Sequence, residues 1–409
     1  MARLSGLLVL ALMLAVVSSF TTFSLGAQGG TAAYTVGAVV VLAVLVPAAA
    51  PALRRTPSWA LWALVVLVLT ALVTAFVLGV PDGYRAAFGA GSDRADALDV
   101  VLTRLSEGLY PYAASTYVGN PISPLPGSFV LAAPFWWATG DASWQNVLWL
   151  VLLLGLVNGG PRLRPVPTVL WALVVVGGLE VLREFVVGDD LVWSAVPAAL
   201  AVAWLLRCAH GPTPRLVVAA LLVGLTTCTR PHLVLVLVAA AVAVGVLAGL
   251  RRALLVGGLA AAVWAVLIAP FLTGGLARFS PVHVAAKVTG DRAITPGIVV
   301  VAVVALAVVV GAAWWLRASS AVAVGWLGAA VLFAPSVLSF AHALVAGAWG
   351  ELDLTLGSAG VPFALWAVAA REVATAPDGP PARPSVAPPR AGPPHGDHAR
   401  GAAIPAAPP

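Results

Sequence analysis

Long apolar runs separated by short polar loops make up most of the chain. Several runs reach the ~20 residues that a helix needs to cross the hydrocarbon core of a bilayer. None alternates apolar and polar residues as the strand of a membrane barrel does. The pattern therefore predicts an all-α polytopic membrane domain over residues 1–375, with about twelve spans. The predicted spans are 1–25, 32–52, 58–80, 144–158, 167–187, 191–206, 216–229, 232–250, 253–273, 296–316, 320–345 and 356–370.

Arginines in the short loops predict the orientation. With these spans, they all fall on one side of the membrane, which the positive-inside rule assigns to the cytoplasm. They are Arg3, Arg54, Arg55, Arg162, Arg164, Arg207, Arg215, Arg251, Arg252, Arg317 and Arg371. We therefore expect a multi-pass protein of the plasma membrane with both termini in the cytoplasm. The polar loops 81–126 and 274–295 then face outward.

Composition agrees with this class. Hydrophobic residues make up 61% of the 409 positions and charged residues only 9%, whereas soluble domains are about 45–50% apolar. The net charge of +6 comes largely from loop arginines, and no basic stripe with interleaved aromatic residues predicts a nucleic-acid partner. Residues 376–409 are rich in Pro and Ala and predict a disordered cytoplasmic tail.

The loop 81–126 carries the most concentrated polar chemistry. Ser92 or Asp93 can cap a helix with an apolar stripe, and Gly108 can end it. Asp93, Asp96 and Asp99 follow one another at helical spacing, so successive members share roughly one face. Their repulsion can raise one pKa toward that of a general base, or the group can attract a divalent cation. A solvated helix face explains the spacing equally well.

The loop continues into a proline-rich segment, 117–127, which predicts a rigid, non-helical path back toward the membrane. Tyr117, Asn120 and Ser123 are candidate ligand contacts there, although a structural corner is an equal alternative. The apolar segment 128–138 is too short to cross, and we expect a re-entrant or interfacial helix.

Other candidate contacts lie at the predicted outer ends of spans. Arg230, followed by Pro231 and His232, can grip a lipid phosphate, or can extend along the helix to lipid head groups. Asp189 and Asp190 form a second acidic wall or a polar turn. Glu180, Arg183 and Glu184 can form an internal ion pair or part of a site, and His283 and Lys287 are candidate phosphate or sugar contacts or simply solvated. These residues predict a binding region on the outer face.

The sequence around the aspartates resembles a known family. The Asp-rich helix that ends in Gly-Leu-Tyr-Pro-Tyr, followed by Gly-Asn-Pro-Ile-Ser-Pro-Leu-Pro-Gly, is similar to the GT-C superfamily of membrane glycosyltransferases. The likeness is greatest to actinobacterial polyprenyl-phosphate-sugar-dependent mannosyl- and arabinosyltransferases. The likeness in architecture, a series of long hydrophobic helices, covers about 60–370. The likeness in sequence motifs is confined to 93–127.

The resemblance implies a lipid-linked sugar donor and a loop carboxylate as catalytic base. The base would be Asp96 or Asp99, with Asp93 beside them and Tyr112 of the motif among the substrate contacts. A tight pair of adjacent acidic residues is absent from this loop, which leaves open both the use of a metal and the identity of the base.

The leading functional hypothesis is therefore transfer of a mannose-like or arabinose-like sugar from a polyprenyl-phosphate donor. The acceptor would be an envelope glycan or glycolipid on the outer face of the bilayer. The alternative is a multi-span transporter or flippase of a lipid-linked or small polar substrate, since about twelve spans also suits carriers. A third possibility is a catalytically silent scaffold for envelope assembly. The absence of a Walker loop in the sequence argues against ATP hydrolysis by this chain.

Overall fold

A computed structural model describes residues 2–24, 30–79, 93–273, 275, 278–282, 296–315, 320–347 and 352–374. Within these ranges the chain consists of helices and short connections, with one isolated bridge between Ser115 and Pro121. The helices are α1 (Ala2–Ser24), α2 (Gly30–Leu53), α3 (Ser58–Gly79), α4 (Arg94–Ser106), α5 (Pro126–Thr139), α6 (Gln145–Asn158), α7 (Pro165–Gly177), α8 (Leu179–Val186), α9 (Leu191–Cys208), α10 (Thr213–Thr227), α11 (Val234–Ala248), α12 (Leu250–Ile268), α13 (Pro296–Trp315), α14 (Ala321–Ala346) and α15 (Val361–Ala374). The predicted tail 376–409 lies outside the described residues.

In the described residues each predicted span overlaps at least one helix, but not every helix is long enough to cross a membrane alone. Six described helices pass by length and composition, or up to eight if each of two bent pairs counts as one span. In α1 and α10 the apolar stretches, Leu4–Ser19 and Thr213–Thr227, are shorter than the 18 residues taken as the minimum for a span. The helical, multi-pass class agrees with the sequence analysis, whereas the number twelve stays a prediction.

Two predicted segments bend sharply. The expected span 167–187 is two helices, α7 and α8, that meet at 71°. The bend lies at Gly178, where a Cβ atom would come within 2.6 Å of the carbonyl oxygen of Val174. Helix α5 and the segment Ala142–Asn158 meet at 111°, after α5 ends at Gly140 in a left-handed conformation. This corner is compatible with the expected re-entrant helix.

The proline-rich segment is shorter than predicted. We expected residues 117–127 to be non-helical, but α5 already begins at Pro126 and includes Gly127. The prediction was wrong at these two residues because proline is well suited to the first turn of a helix, where its missing N–H is not needed. The Cβ of a larger residue at Gly127 would lie 2.4 Å from the carbonyl oxygen of Cys228, so glycine lets α5 approach the end of α10.

The helices form one large core and one smaller core. Helix α9 lies at the centre of the large core, with 78% of its residues buried. Small residues let neighbouring helices approach: a Cβ at Gly224 of α10 would meet Ala260 of α12 at 2.9 Å, and one at Gly328 of α14 would meet the Phe363 ring of α15 at 2.4 Å. Close crossings through small residues are typical of membrane helices, which gain little from burying apolar side chains against each other.

Exposed aromatic and aliphatic side chains cover the outer surface of the bundle. Trp59 and Trp62 are 72% and 52% exposed at the start of α3, close in sequence to Arg54 and Arg55. Tryptophan and arginine commonly lie at the ends of spans, where they contact the head groups. This end of α3 is therefore compatible with a membrane interface.

The orientation can be tested with two single-cysteine positions. A thiol at Ser106→Cys, exposed at the end of α4, is expected to react with a membrane-impermeant maleimide in intact cells. Thr213→Cys, exposed at the start of α10, should react only after permeabilisation. The native Cys208 and Cys228 are both buried and should give little background. Labelling at position 213 and protection at position 106 would reverse the predicted orientation.

Candidate functional site

The loop helix α4 is fixed by its own aspartates. Asp93 lies at the N-cap, but its carboxylate accepts hydrogen bonds from Thr116 Oγ1 at 2.5 Å and Asn120 Nδ2 at 2.9 Å instead of capping the helix. Asp96 accepts from the backbone N–H of Tyr117 at 2.8 Å. Asp99 accepts from the N–H of Ala142 at 2.9 Å. Each of the three half-buried carboxylates thus has a structural partner, and a catalytic role for any of them stays a prediction.

Tyr112 anchors the loop in the smaller core. Its side chain is 4% exposed, and its hydroxyl donates to the carbonyl oxygen of Pro124 at 3.0 Å. Its ring makes edge or tilted contacts with Phe129, Phe271 and Phe279. Burial raises the pKa of Tyr112, so the hydroxyl stays protonated. In this structure Tyr112 packs and anchors the loop on α5 and on the end of α12.

A buried group of charged residues lies where α4 meets the bundle. Arg94 Nη1 is 3.6 Å from Glu184 Oε1 and 3.9 Å from Asp189 Oδ2. The Arg94 side chain is 17% exposed, and neither carboxylate is exposed at all. Arg94 Nη2 also donates to Thr355 Oγ1 at 3.1 Å. A single side chain of the loop helix therefore contacts α8, the α8–α9 turn and the segment before α15.

Helix α8 brings further charges to the same place. Arg183 contacts Glu180 Oε1 at 2.6 Å and Asp189 Oδ2 at 3.5 Å, and Glu180 also accepts a hydrogen bond from Thr21 of α1. The sequence left open an internal ion pair or a site for Glu180 and Arg183, and the structure contains the ion pair. Glu184 accepts from the N–H of Val192 at 2.7 Å. These contacts connect α8 to α1 and α9.

Arg230 and Asp190 form the second half of the group. Asp190 Oδ1 accepts a hydrogen bond from Arg230 Nη2, and Arg230 Nη1 donates to Ser123 Oγ at 3.1 Å. Arg230 is only 5% exposed, so the predicted interfacial arginine is buried in protein. His232 follows Arg230 by two residues, and its ring Nε2 is buried. We call Arg94, Glu180, Arg183, Glu184, Asp189, Asp190, Arg230 and His232 the charged cluster.

Several buried polar atoms of the charged cluster have capacity for a ligand. Within the described part of the chain, Arg94 Nη1, Arg230 Nε and His232 Nε2 are buried and make no hydrogen bond. Ser143 Oγ and Asn146 Oδ1 are likewise without one in these ranges, and Asn146 Nδ2 donates to the carbonyl oxygen of Asp189. Buried polar atoms without a hydrogen-bond partner are costly and rare. They are the atoms that an anionic or hydroxyl-bearing ligand would bind.

The charge balance of the cluster is close to neutral. Three arginines face four carboxylates, Glu180, Glu184, Asp189 and Asp190. Burial lowers the pKa of Arg94, but Glu184, Asp189 and Asp353 outweigh it, and the net shift is upward. Arg94 therefore keeps its positive charge at every physiological pH. Such paired charges at the edge of a membrane domain are expensive to bury and are typical of functional sites.

The structure brings together part of the predicted site. Ser123, Asp189, Asp190, Arg230 and His232 lie in or against the charged cluster. Tyr117 and Asn120 lie at the exposed tip of the proline-rich loop, and Tyr112 is in the smaller core. His283 and Lys287 lie outside the described residues.

Arg94 was not among the residues predicted from the sequence. The only local signal was a positive charge at the first turn of a helix, where acidic residues are favoured. Its partners Glu184 and Asp189 are distant in sequence and adjacent only in the fold. Among the described residues, no group of three or more His, Cys, Asp or Glu side chains is arranged to hold a metal ion. The suggested divalent cation therefore has no candidate site of this kind in those ranges.

Comparison with known proteins adds nothing to this description: no protein-family model, no curated protein and no solved structure matches the chain.

Proposed function

We propose that the protein is a membrane-embedded transferase that moves a sugar from a polyprenyl-phosphate donor to an acceptor in the cell envelope. One observation carries the proposal. Guanidinium and imidazole nitrogens of Arg94, Arg230 and His232 are buried without hydrogen-bond partners in the described ranges, beside carboxylates. Guanidinium N–H groups bind phosphate oxygens through charge-assisted hydrogen bonds, and each of the two arginines has one nitrogen left for such a bond.

The chemistry requires little beyond these groups. An acceptor hydroxyl attacks the anomeric carbon of the sugar, the bond from that carbon to the phosphate oxygen breaks, and a carboxylate takes the hydroxyl proton. The leaving group is already a phosphate, so it needs positive charge and hydrogen-bond donors more than a proton. Arg94 and Arg230 would supply these.

The base would come from the helix that also carries Arg94. Asp96 and Asp99 follow Arg94 on α4, are half-buried, and are held by backbone N–H groups. A carboxylate fixed in this way is pre-oriented for proton transfer. Asp93 is the third candidate, although it binds two side chains of the adjoining loop.

A carrier for a lipid-linked or small polar substrate is the second candidate. The observation that favours it is the excess of one carboxylate over arginines among the buried charges of the cluster. Buried ionisable groups are common in proton-coupled carriers. Such a protein would move the lipid-linked or small polar substrate across the membrane of a vesicle without changing it chemically.

Arg230 provides a direct test of donor binding. Arg230→Lys keeps the positive charge opposite Asp190 but removes Nε, the Arg230 donor that has no hydrogen-bond partner in the structure. It is expected to lower transfer roughly tenfold to a hundredfold, the effect of about one charge-assisted hydrogen bond. The measurement is release of free polyprenyl phosphate from a synthetic polyprenyl-phosphate sugar.

Arg104→Lys is the matched control for this variant. Arg104 lies on the loop helix α4, and its Nε donates to the carbonyl oxygen of Tyr110, away from the charged cluster. Equal transfer by the wild type and both variants would remove Arg230 from the donor site.

A further inference from the structure

Two buried polar side chains lie beside the charged cluster, at the corner between α5 and α6. Ser143 is 2% exposed and Asn146 is fully buried. Within the described ranges, Ser143 Oγ and Asn146 Oδ1 make no hydrogen bond. A buried polar atom that lacks a partner has lost its hydration without a protein contact in return, so the stability of the fold explains neither atom.

Asn146 connects this corner to the charged cluster. Its Nδ2 donates to the carbonyl oxygen of Asp189 at 2.8 Å, and Asp189 Oδ2 lies 3.9 Å from Arg94 Nη1. The bond to a carbonyl oxygen, which can only accept, fixes the direction of the amide group. Oδ1 is therefore the amide atom that is left over, and it needs a hydrogen-bond donor.

Ser143 lies where α4 and the α8–α9 turn come together. A Cβ atom at Gly188 would come within 2.5 Å of Ser143 Oγ and 3.6 Å of the Ala95 side chain. Ala95 and Asp99 are four residues apart on α4 and share one face, and Asp99 accepts a hydrogen bond from the N–H of Ala142. The absence of a side chain at position 188 thus leaves space at the serine hydroxyl, next along the chain to the group that Asp99 binds.

The two atoms favour a neutral, hydroxyl-bearing ligand. Asn146 Oδ1 can only accept, whereas a serine hydroxyl can donate or accept. Asp99 and Asp189, which are joined to this corner by hydrogen bonds, place negative charge beside it and disfavour an anion there. Arg94 Nη1, by contrast, is a buried donor without a hydrogen-bond partner in the described ranges. Donors for an anion and acceptors for hydroxyl groups therefore lie side by side, and a sugar phosphate carries both kinds of group.

We infer that Ser143 Oγ and Asn146 Oδ1 bind hydroxyl groups of the sugar that is attached to the donor phosphate. The inference rests on the proposed function, which assigns the phosphate to the arginines of the charged cluster, and it adds a neutral subsite beside them. Sugar hydroxyls donate to both oxygens, and the serine hydroxyl can donate in turn. The subsite distinguishes a polyprenyl-phosphate sugar from polyprenyl phosphate, so it favours binding of the donor over the lipid product.

Equilibrium binding of labelled lipids to the full-length protein in nanodiscs tests the subsite. One lipid is polyprenyl phosphate, and the others are the same lipid carrying mannose or arabinose. The wild type is expected to bind a sugar-bearing lipid more tightly. Ser143→Ala should weaken binding of that lipid roughly threefold to tenfold, the effect of about one hydrogen bond between neutral groups, and should leave the affinity for polyprenyl phosphate unchanged.

Three variants separate sugar binding from loss of structure. Ser143→Ala removes an oxygen that has no hydrogen-bond partner in the described residues, so it should not lower the melting temperature. Asn146→Leu, the second variant, should also narrow the difference in affinity between the lipids with and without sugar. Ser336→Ala is the matched control, because this buried serine already donates to the carbonyl oxygen of Leu354. It should leave that difference unchanged.

Two results would overturn the subsite and leave the phosphate site in place. Equal wild-type affinity for the lipids with and without either sugar would mean that the corner binds no sugar. A wild-type preference that both Ser143→Ala and Asn146→Leu retain would place the sugar elsewhere and leave the two oxygens to water. Failure of the wild type to bind any of the lipids would contradict the proposed function itself, and the subsite with it.

Discussion

Replacing Arg94 by methionine is expected to lower the free energy of unfolding by about 3–5 kcal/mol, the usual cost of removing one partner from a buried ion pair. Among the described ion pairs, the variant removes the partner of Glu184 and leaves Asp189 with Arg183 alone, and both carboxylates are fully buried. Thermal or SDS-induced unfolding of the purified protein in mild detergent measures the loss. The effect should be large because methionine fills the space but cannot compensate the charges.

Two further variants make the test of Arg94 specific. Arg104→Met changes the same residue type on the same helix, but loses only one hydrogen bond, to Tyr110, and should cost about 1 kcal/mol. Adding Glu184→Gln to Arg94→Met removes one uncompensated carboxylate and should recover part of the loss, with a coupling of about 0.5–3 kcal/mol. An Arg94→Met variant within about 0.5 kcal/mol of the wild type would mean that the cluster is hydrated.

Asp96→Asn or Asp99→Asn is expected to lower transfer by roughly 10²–10⁴-fold, the range for a lost general base. Asparagine keeps an oxygen that can still accept the hydrogen bond from the N–H of Tyr117 or Ala142. The variants should therefore fold and insert normally, and a loss of transfer would reflect the lost carboxylate. Transfer from a synthetic polyprenyl-phosphate sugar in purified membranes is the measurement.

The structural contacts of these aspartates define the competing outcome. If the carboxylates serve only to hold the loop and the start of the α6 segment, both asparagine variants should retain nearly full activity. Glu107→Gln, at an exposed position just after α4, should be mild in either case. Near-wild-type transfer by the Asp96/Asp99 double variant would assign both aspartates a structural role and favour the carrier or scaffold hypotheses.

Local patterns in the sequence predicted the helices well. The apolar stripe of α4 was expected from its spacing, and Ala95, Leu98, Val101 and Leu102 are buried. Leu105 and Leu109, which continue the predicted stripe, are exposed. Helical periodicity requires only the side chains of one segment, so it is visible without a fold. The bend at Gly178 was missed because the apolar run continues through it, and hydropathy does not report a change of direction.

The charged cluster was only partly predictable. Asp189, Asp190 and Arg230 were selected because they lie at ends of apolar runs, which the alternation of spans places on one face. Which charge pairs with which depends on helix packing. The pairing of Arg94 with Glu184 and of Arg230 with Asp190 joins segments that have no pattern in common, so tertiary structure was needed to find it.

The most direct measurement is release of polyprenyl phosphate by membranes that contain the protein, with polyprenyl-phosphate mannose or arabinose as donor and native envelope lipids as acceptors. The predicted result is that release requires the protein and that the sugar is recovered on an acceptor. Release should fall roughly tenfold to a hundredfold in Arg230→Lys but not in Arg104→Lys. Intact donor in every sample, or release that is equal without the protein, would contradict a transferase acting at the charged cluster.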